Sequence, residues 1–340
     1  MSIFFIMGIL FSYPERNFPF LLGGKLSAGY QDYRFGKQRG DFYILLEPFI
    51  KFERVKKFGV SVSGNGMFYR YFITGNMRFI GNSDIHFQYN FKDVTFIIGD
   101  SLSALSKDIT KPEELFSELV MRNSSYSEIT TRKTLRRRLS FTGSIRGGYN
   151  ILFYEDIDYS FATFNGELEG YMTKKLRGGG GLEVKYFGIE NWTRVSPFCF
   201  VRLFVFRLKT EIKGGYNFLS KGEREGFMGK IFVQYVAGRN EMAASLYRIS
   251  GEDFRGKRYI TEGGGVYITW RLSRRIRAGG DASLFRVKFE GEEHKGYIST
   301  GLNMGYGFKS FELFSACRFF HPFEGDDFSD VRFGINWSLQ

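Results

Sequence analysis

The sequence predicts an all-β fold in which a single antiparallel sheet closes into a transmembrane β-barrel. Its 340 residues include 40 Phe, 20 Tyr and 42 Gly but only 6 Pro, a composition that suits strands, tight turns and interfacial aromatic rings. The longest apolar run, residues 3–11, is much shorter than the roughly 20 residues that a spanning helix needs. Crossing by strands is therefore the remaining way for this chain to span a membrane.

Alternation of apolar residues with polar or small ones is the pattern that predicts the strands. A strand shows successive side chains to opposite faces, so a barrel in lipid alternates apolar-out with polar-in. This pattern recurs along residues 139–150, 211–218, 265–272, 276–284 and 298–308. The predicted strands are longer than the roughly 5–6 residues typical of soluble sheets, which favours a barrel over a sandwich.

The spacing of the turns predicts the number of strands. From residue 170 onward, short and longer connections alternate, as in bacterial barrels with short periplasmic turns and longer external loops. Extending this alternation to the N-terminus gives about 18 strands with both termini in the periplasm, and 16 strands is the alternative. The strands near residues 83–90 and 124–132 show the weakest alternation.

Residues 1–22 precede the alternating region, and residues 23–340 form the predicted barrel. The apolar stretch near the start resembles the core of a secretory signal, although it lacks the basic start and the small-residue cleavage site. We interpret it as a residual signal or an N-terminal periplasmic segment. An additional strand or a plug segment is the alternative.

The C-terminal segment carries the only resemblance to a known class of proteins. Arg332, Gly334, Trp337 and Leu339 occupy the fixed positions of a motif that resembles the assembly signal of outer-membrane barrels, whereas Gln340 stands where many members end on an aromatic residue. The chain is therefore similar to the porin-like class of barrels. This resemblance implies a location in the cell outer membrane and recognition by the barrel-assembly machinery.

One long segment, residues 101–123, interrupts the alternation. Within it, a capping-box pattern, a proline in the first turn and two leucines four residues apart predict a short helix. The segment resembles the constriction loop of porins only in being one outsized loop after an early strand, and an external lid or a surface helix are the alternatives. The candidate constriction residues are Thr110, Pro112, Glu113, Leu115 and Leu119.

Charged residues on the predicted inner face are the candidate lumen-lining residues. Acidic and basic members are almost equal in number, so they predict no strong ion selectivity. Opposite charges on neighbouring strands can also pair simply to satisfy a polar interior. The candidates are Arg146, Glu167, Glu169, Lys185, Glu211, Lys213, Lys230, Glu241, Arg271, Arg277, Asp281, Glu312 and Arg318.

The net charge of +12 bears on the expected partners. Lys and Arg recur at turn spacing rather than along one patch, which argues against a nucleic-acid partner. We expect outer-membrane lipids and lipopolysaccharide as partners. A homo-oligomer is a further candidate, for which analogy with porins is the only warrant.

Catalytic and cofactor motifs do not emerge from the sequence. There is no Walker loop, dinucleotide fingerprint or Cys/His metal spacing, and no cofactor or metal is expected. His321 with Asp326 and Asp327 weakly resembles the acidic–histidine sites of barrel proteases, but a solvated loop explains these residues better. We therefore expect a non-enzymatic pore for small hydrophilic solutes or ions. A non-conducting scaffold or export-system barrel is the alternative, with a barrel enzyme third.

Overall fold

The structure is a computed structural model with 18 strands. It describes residues 20–35, 38–54, 57–106, 119–136, 138–153, 157–189, 191–220, 224–253, 257–308, 311–323 and 327–339. The strands are β1 (Phe20–Phe35), β2 (Gln38–Arg54), β3 (Phe58–Tyr71), β4 (Met77–Phe91), β5 (Val94–Ser106), β6 (Leu119–Arg136), β7 (Leu139–Phe153), β8 (Ile157–Tyr171), β9 (Leu176–Phe187), β10 (Trp192–Val205), β11 (Leu208–Leu219), β12 (Arg224–Ala237), β13 (Asn240–Glu252), β14 (Arg258–Arg271), β15 (Ile276–Phe289), β16 (His294–Gly307), β17 (Phe311–Pro322) and β18 (Phe328–Leu339). Within the described residues, no helix is long and apolar enough to cross a membrane.

The sheet closes on itself. Each strand pairs antiparallel with its neighbours in sequence, and β1 pairs with β18 from Leu22↔Leu339 to Tyr33↔Phe328. This closure confirms the predicted 18-strand barrel and excludes the 16-strand alternative. Because the strand number is even, β1 begins and β18 ends at the same rim, which we name the terminal rim. The opposite rim is the loop rim, and the periplasmic position of the terminal rim stays a prediction.

Alternation along each strand separates two chemically different faces. On β2, Phe42 is 59% exposed on the outer face, whereas the flanking inner residues Tyr43 and Leu45 are almost completely buried. The same division repeats on β18, where Phe333 and Ile335 are exposed outside. Exposed apolar side chains on nearly every strand form an outer belt of the kind that lipid tails would cover.

Three strands extend beyond their predicted bounds. β4 (15 residues) and β6 (18 residues) are long strands rather than the short ones expected near residues 83–90 and 124–132. β1 begins at Phe20, which pairs with Phe52, so the barrel starts before residue 23. In each case the backbone ladder continues past the segment in which side-chain alternation is clear, because backbone hydrogen bonding does not depend on side-chain type.

The predicted loop at residues 101–123 is shorter than expected. β5 continues to Ser106 and β6 begins at Leu119, and these two residues pair with each other. Ser101 and Ser103 face inward while Leu102 is exposed outside, so the period of two persists here among small residues. Leu119 therefore belongs to a strand and not to the predicted helix. Thr110, Pro112, Glu113 and Leu115 lie outside the described residues.

Candidate functional site

The inner face of the barrel is charged. The pairing register places the thirteen candidate lumen-lining residues on this face, together with the buried side chains of their strands. For example, Asp281 lies opposite Gly301, and its carboxylate would contact any Cβ added there. Whether these residues line an open passage stays a prediction. Their contacts with one another show that the interior contains regions of different charge balance.

In the first region, an arginine of β10 is surrounded by acidic residues of β8 and β11. Arg202 donates from Nε to Glu211 Oε2 at 2.9 Å and from Nη1 to Glu167 and Glu169 at 3.1 and 3.3 Å. Its guanidinium also stacks over Phe200, 4.2 Å from the ring centroid. Arg177 also lies 3.8 Å from Glu169, so three carboxylates here share two guanidinium groups.

A second region, near the loop rim, is a buried ion cluster centred on Arg194. This side chain is only 3% exposed and lies 2.6 Å from Glu252 Oε1, 3.7 Å from Glu183 and 3.9 Å from Glu225. Lys185 joins the cluster through Glu183 and Glu252, at 3.4 and 3.7 Å. Burial of so many charges is tolerable because nearly every one has an opposite partner.

These contacts show that the adjoining ends of β13 and β14 lean into the interior. Glu252 is on β13, whereas Arg194 is on β10, and β11 and β12 separate the two strands along the wall. Pairing between β12 and β13 ends at Gly229↔Arg248, so the end of β13 leaves the wall there. Arg258, at the start of β14, lies 5.8 Å from the Trp192 ring of β10. The end of β13 and the start of β14 thus narrow the interior here, which the sequence did not predict.

Aromatic residues narrow the interior at the same end of the barrel. Tyr43 and Tyr71 of β2 and β3 pack in one buried cluster with Tyr297, Phe320 and Phe328 of β16–β18. The Tyr43 hydroxyl crosses over β1 to donate to Asp330 Oδ1 at 2.5 Å. This crossing requires Gly29 beneath it, because a Cβ there would lie 2.6 Å from the hydroxyl.

A third region, at the terminal rim, is a basic mouth. It is a concavity of about 590 Å³, and its described lining residues include five cations but only one acidic side chain, Glu312. Arg277 pairs with Glu312, and Lys25 pairs with Glu47 at 3.5 Å. Within the described part of the chain, Arg271 and Arg274 have no acidic partner. The cations are Lys25, Arg271, Arg274, Arg275 and Arg277.

The register places two like charges side by side in this mouth, and Glu312 offsets only one of them. Arg271 and Arg277 lie directly opposite each other on β14 and β15. Like charges at directly opposed positions of an antiparallel pair destabilise the sheet. An anion between the guanidinium groups would relieve this repulsion and accept their hydrogen bonds.

The remaining sequence candidates are the C-terminal segment and the residues around His321. Trp337 faces outward, where its ring would contact a Cβ added at Gly24 of β1, while Arg332 and Gly334 have inner-face register. The assembly role of this segment stays a prediction. His321 is exposed at the end of β17 and hydrogen-bonds to Asp327, and Asp326 lies outside the described residues. The described ranges contain no group of three His, Cys, Asp or Glu side chains that could hold a metal.

Sequence reasoning missed Arg194, Arg202 and Glu252. Arg194, the third residue of β10, was not among the candidate lumen-lining residues, because no clear alternation marks the start of this strand. Arg202 lies in an apolar stretch, residues 197–206, where both faces carry apolar residues and the period of two is not visible. No local pattern pairs Glu252 with Arg194, because the contact depends on how the barrel closes.

Comparisons with known proteins place this fold among solved barrels. OpdL of Pseudomonas aeruginosa matches 96% of this chain and 99% of its own, with 10% identity and a TM-score of 0.56. OccK9 (OpdG) of the same organism matches 94% and 97%, with 10% identity and a TM-score of 0.58. OpdK with vanillate, also from P. aeruginosa, matches 95% and 100%, with 9% identity and a TM-score of 0.55.

Sequence comparisons add nothing to this likeness. No family model matches the chain, and no curated protein matches it. At about 10% identity, the likeness to the solved barrels concerns architecture alone. This chain is therefore similar to the Pseudomonas outer-membrane barrels in fold: one closed antiparallel barrel of 18 strands over nearly its whole length.

Proposed function

We propose that the chain is an outer-membrane pore through which small hydrophilic solutes or ions diffuse. The observation that carries this proposal is the closed 18-strand barrel with an apolar exterior and a charged interior. Barrels of 16–18 strands are wide enough for an aqueous channel, whereas side chains fill those of about eight strands. The structural neighbours are outer-membrane porins, which supports the same function.

The basic mouth adds a preference among solutes. Arg271 and Arg274 lack acidic partners in the described part of the chain, and fixed positive charge at a pore entrance raises the local concentration of anions. We propose that the pore favours small anions. Vanillate, present in the OpdK structure, is a small aromatic carboxylate and a suitable probe.

Conductance tests the proposal directly. The purified chain in a planar bilayer should give discrete current steps in KCl. In a salt gradient, the sign of the reversal potential should indicate that anions are more permeant than cations. Millimolar vanillate should reduce the current by occupying the mouth. A folded barrel that remains silent would contradict the pore and favour the non-conducting scaffold. Current with cation preference would contradict only the role of the mouth.

A further inference from the structure

The outer face of the barrel has a polar stripe on β5 and β6 inside its apolar belt. On β6, outward positions are occupied by Asn123, Ser125 and Ser127, and the neighbouring outward position on β5 is Asp100. Asp100, Ser125 and Ser127 are exposed. Ser125 Oγ donates to Asp100 Oδ1 at 2.9 Å, so one carboxylate oxygen has a partner on the same surface.

The stripe lies within the belt and not above it. Asp100 pairs with Ile85 of β4, and Ser125 pairs with Tyr149 of β7; both partners are exposed apolar or aromatic residues, 37% and 43% accessible. Along β5 itself, Ile98 precedes Asp100 on the outer face, and Leu102 follows it. The polar residues are thus bordered by belt residues on both neighbouring strands and above and below.

Lipid tails are a poor cover for this stripe. A carboxylate and several hydroxyl and amide groups facing hydrocarbon lose their hydrogen bonds to water without replacement. Charged side chains on the lipid face of a barrel destabilise it most at mid-height. A protein surface that supplies hydrogen-bond donors would remove this cost.

We propose that a second copy of this chain covers the stripe, in a dimer whose two-fold axis runs between β5 and β6 along the barrel axis. Such an axis sets β5 of one copy against β6 of the other at the same height. The Asp100 carboxylate of each copy then faces the Ser125 and Ser127 hydroxyls of the other copy. The stripe is self-complementary under this symmetry, because acceptors and donors lie on opposite sides of the axis.

Cross-linking tests the geometry. In a background with Cys199→Ser and Cys317→Ser, which removes the two free cysteines, Ser125→Cys in native membranes should give a covalent dimer with a short bis-maleimide. Ala282→Cys on β15 is the matched control, since Ala282 is also exposed on the outer face, and it should stay monomeric. Equal cross-linking at both sites, no cross-linking at Ser125→Cys, or a trimer would overturn the two-fold dimer.

A second variant separates a protein partner from lipid. Ser125→Leu with Ser127→Leu should weaken dimerisation in detergent by roughly tenfold or more, equivalent to about 1.4 kcal/mol, while the barrel stays folded by its heat-modifiable mobility in electrophoresis. Two outcomes would overturn the proposal. In one, the variant remains a dimer. In the other, the wild type and the variant are both monomers, and the variant is more resistant to heat. The proposal requires a barrel in a membrane but no conduction, so a silent barrel can still dimerise.

Discussion

Arginine side chains have opposite environments at the two ends of the barrel interior. At the loop rim, Arg194 is almost fully buried and touches carboxylates from β9, β12 and β13. At the terminal rim, Arg271 is exposed and lies opposite another arginine. The pairing at the loop rim holds a hairpin in place, and the missing pairing at the terminal rim leaves charge available to a solute. Inner-face position alone therefore does not define the role of a charged residue; the surrounding charges do.

Removing the buried cation should have the largest effect. Arg194→Ala leaves Glu252, Glu183 and Glu225 close together without their shared partner, and breaking a buried ion pair from one side typically costs about 3–5 kcal/mol. We expect lower barrel stability in urea and a larger single-channel conductance, because the adjoining ends of β13 and β14 are released. Glu252→Gln, which keeps a hydrogen-bonding side chain at the same place, is the milder control. Unchanged stability and conductance in Arg194→Ala would show that the cluster does not anchor the hairpin.

Neutralising the mouth should have an intermediate effect. In Arg271→Gln with Arg274→Gln, no acidic partner in the described structure is left unpaired, so stability should hold. One charge at 4 Å in water contributes about 1 kcal/mol, so the anion preference should fall roughly fivefold for each of the two charges removed. The reversal potential in a KCl gradient measures this anion preference. Arg286→Gln, which removes an arginine from the outer face, should leave that potential where it is; an equal shift in both variants would rule out a specific mouth.

Acidification should have the smallest effect. A hydrogen bond from Lys257, and secondarily its positive charge, hold the pKa of Glu292 below its usual value. This contact joins the β13–β14 loop to the β15–β16 turn. Because the pKa is lowered on folding, the stabilisation is present at neutral pH and is lost as the pH falls through the lowered value. Current fluctuations should increase in the wild type as the pH falls below the ordinary range of a glutamate, whereas Glu292→Gln should fluctuate at all pH values without that step.

The sequence predicted the architecture well because a barrel in lipid imposes the same rule on every strand. Apolar residues such as Ile298 and Leu302 must face outward, so a period of two reveals the strands, and turn parity gives their number. The prediction of one long loop at residues 101–123 was wrong at both ends, because β5 and β6 extend into this segment. Ser101 and Ser103 are small, so their alternation with apolar residues did not reveal the strand.

The organisation of the interior was not predictable in the same way. The contact between Arg194 and Glu252 joins β10 to β13, and it depends on the point where β13 leaves β12. Likewise, acidic and basic residues on the inner face are almost equal in number over the whole chain, so their count predicted no strong ion selectivity. The contrast between the two ends emerges only when each charge is assigned to its partner.

The unequal charge of the two openings has a consequence for current. In the proposed pore, the basic mouth would concentrate anions at one opening, while paired opposite charges lie near the other. A pore whose fixed charge differs between its two openings passes more current at one voltage polarity than at the other. This asymmetry is strongest at low salt, where the Debye length is longest. The barrel would then behave as a weak ionic diode, and the polarity of rectification would report which opening faces each chamber.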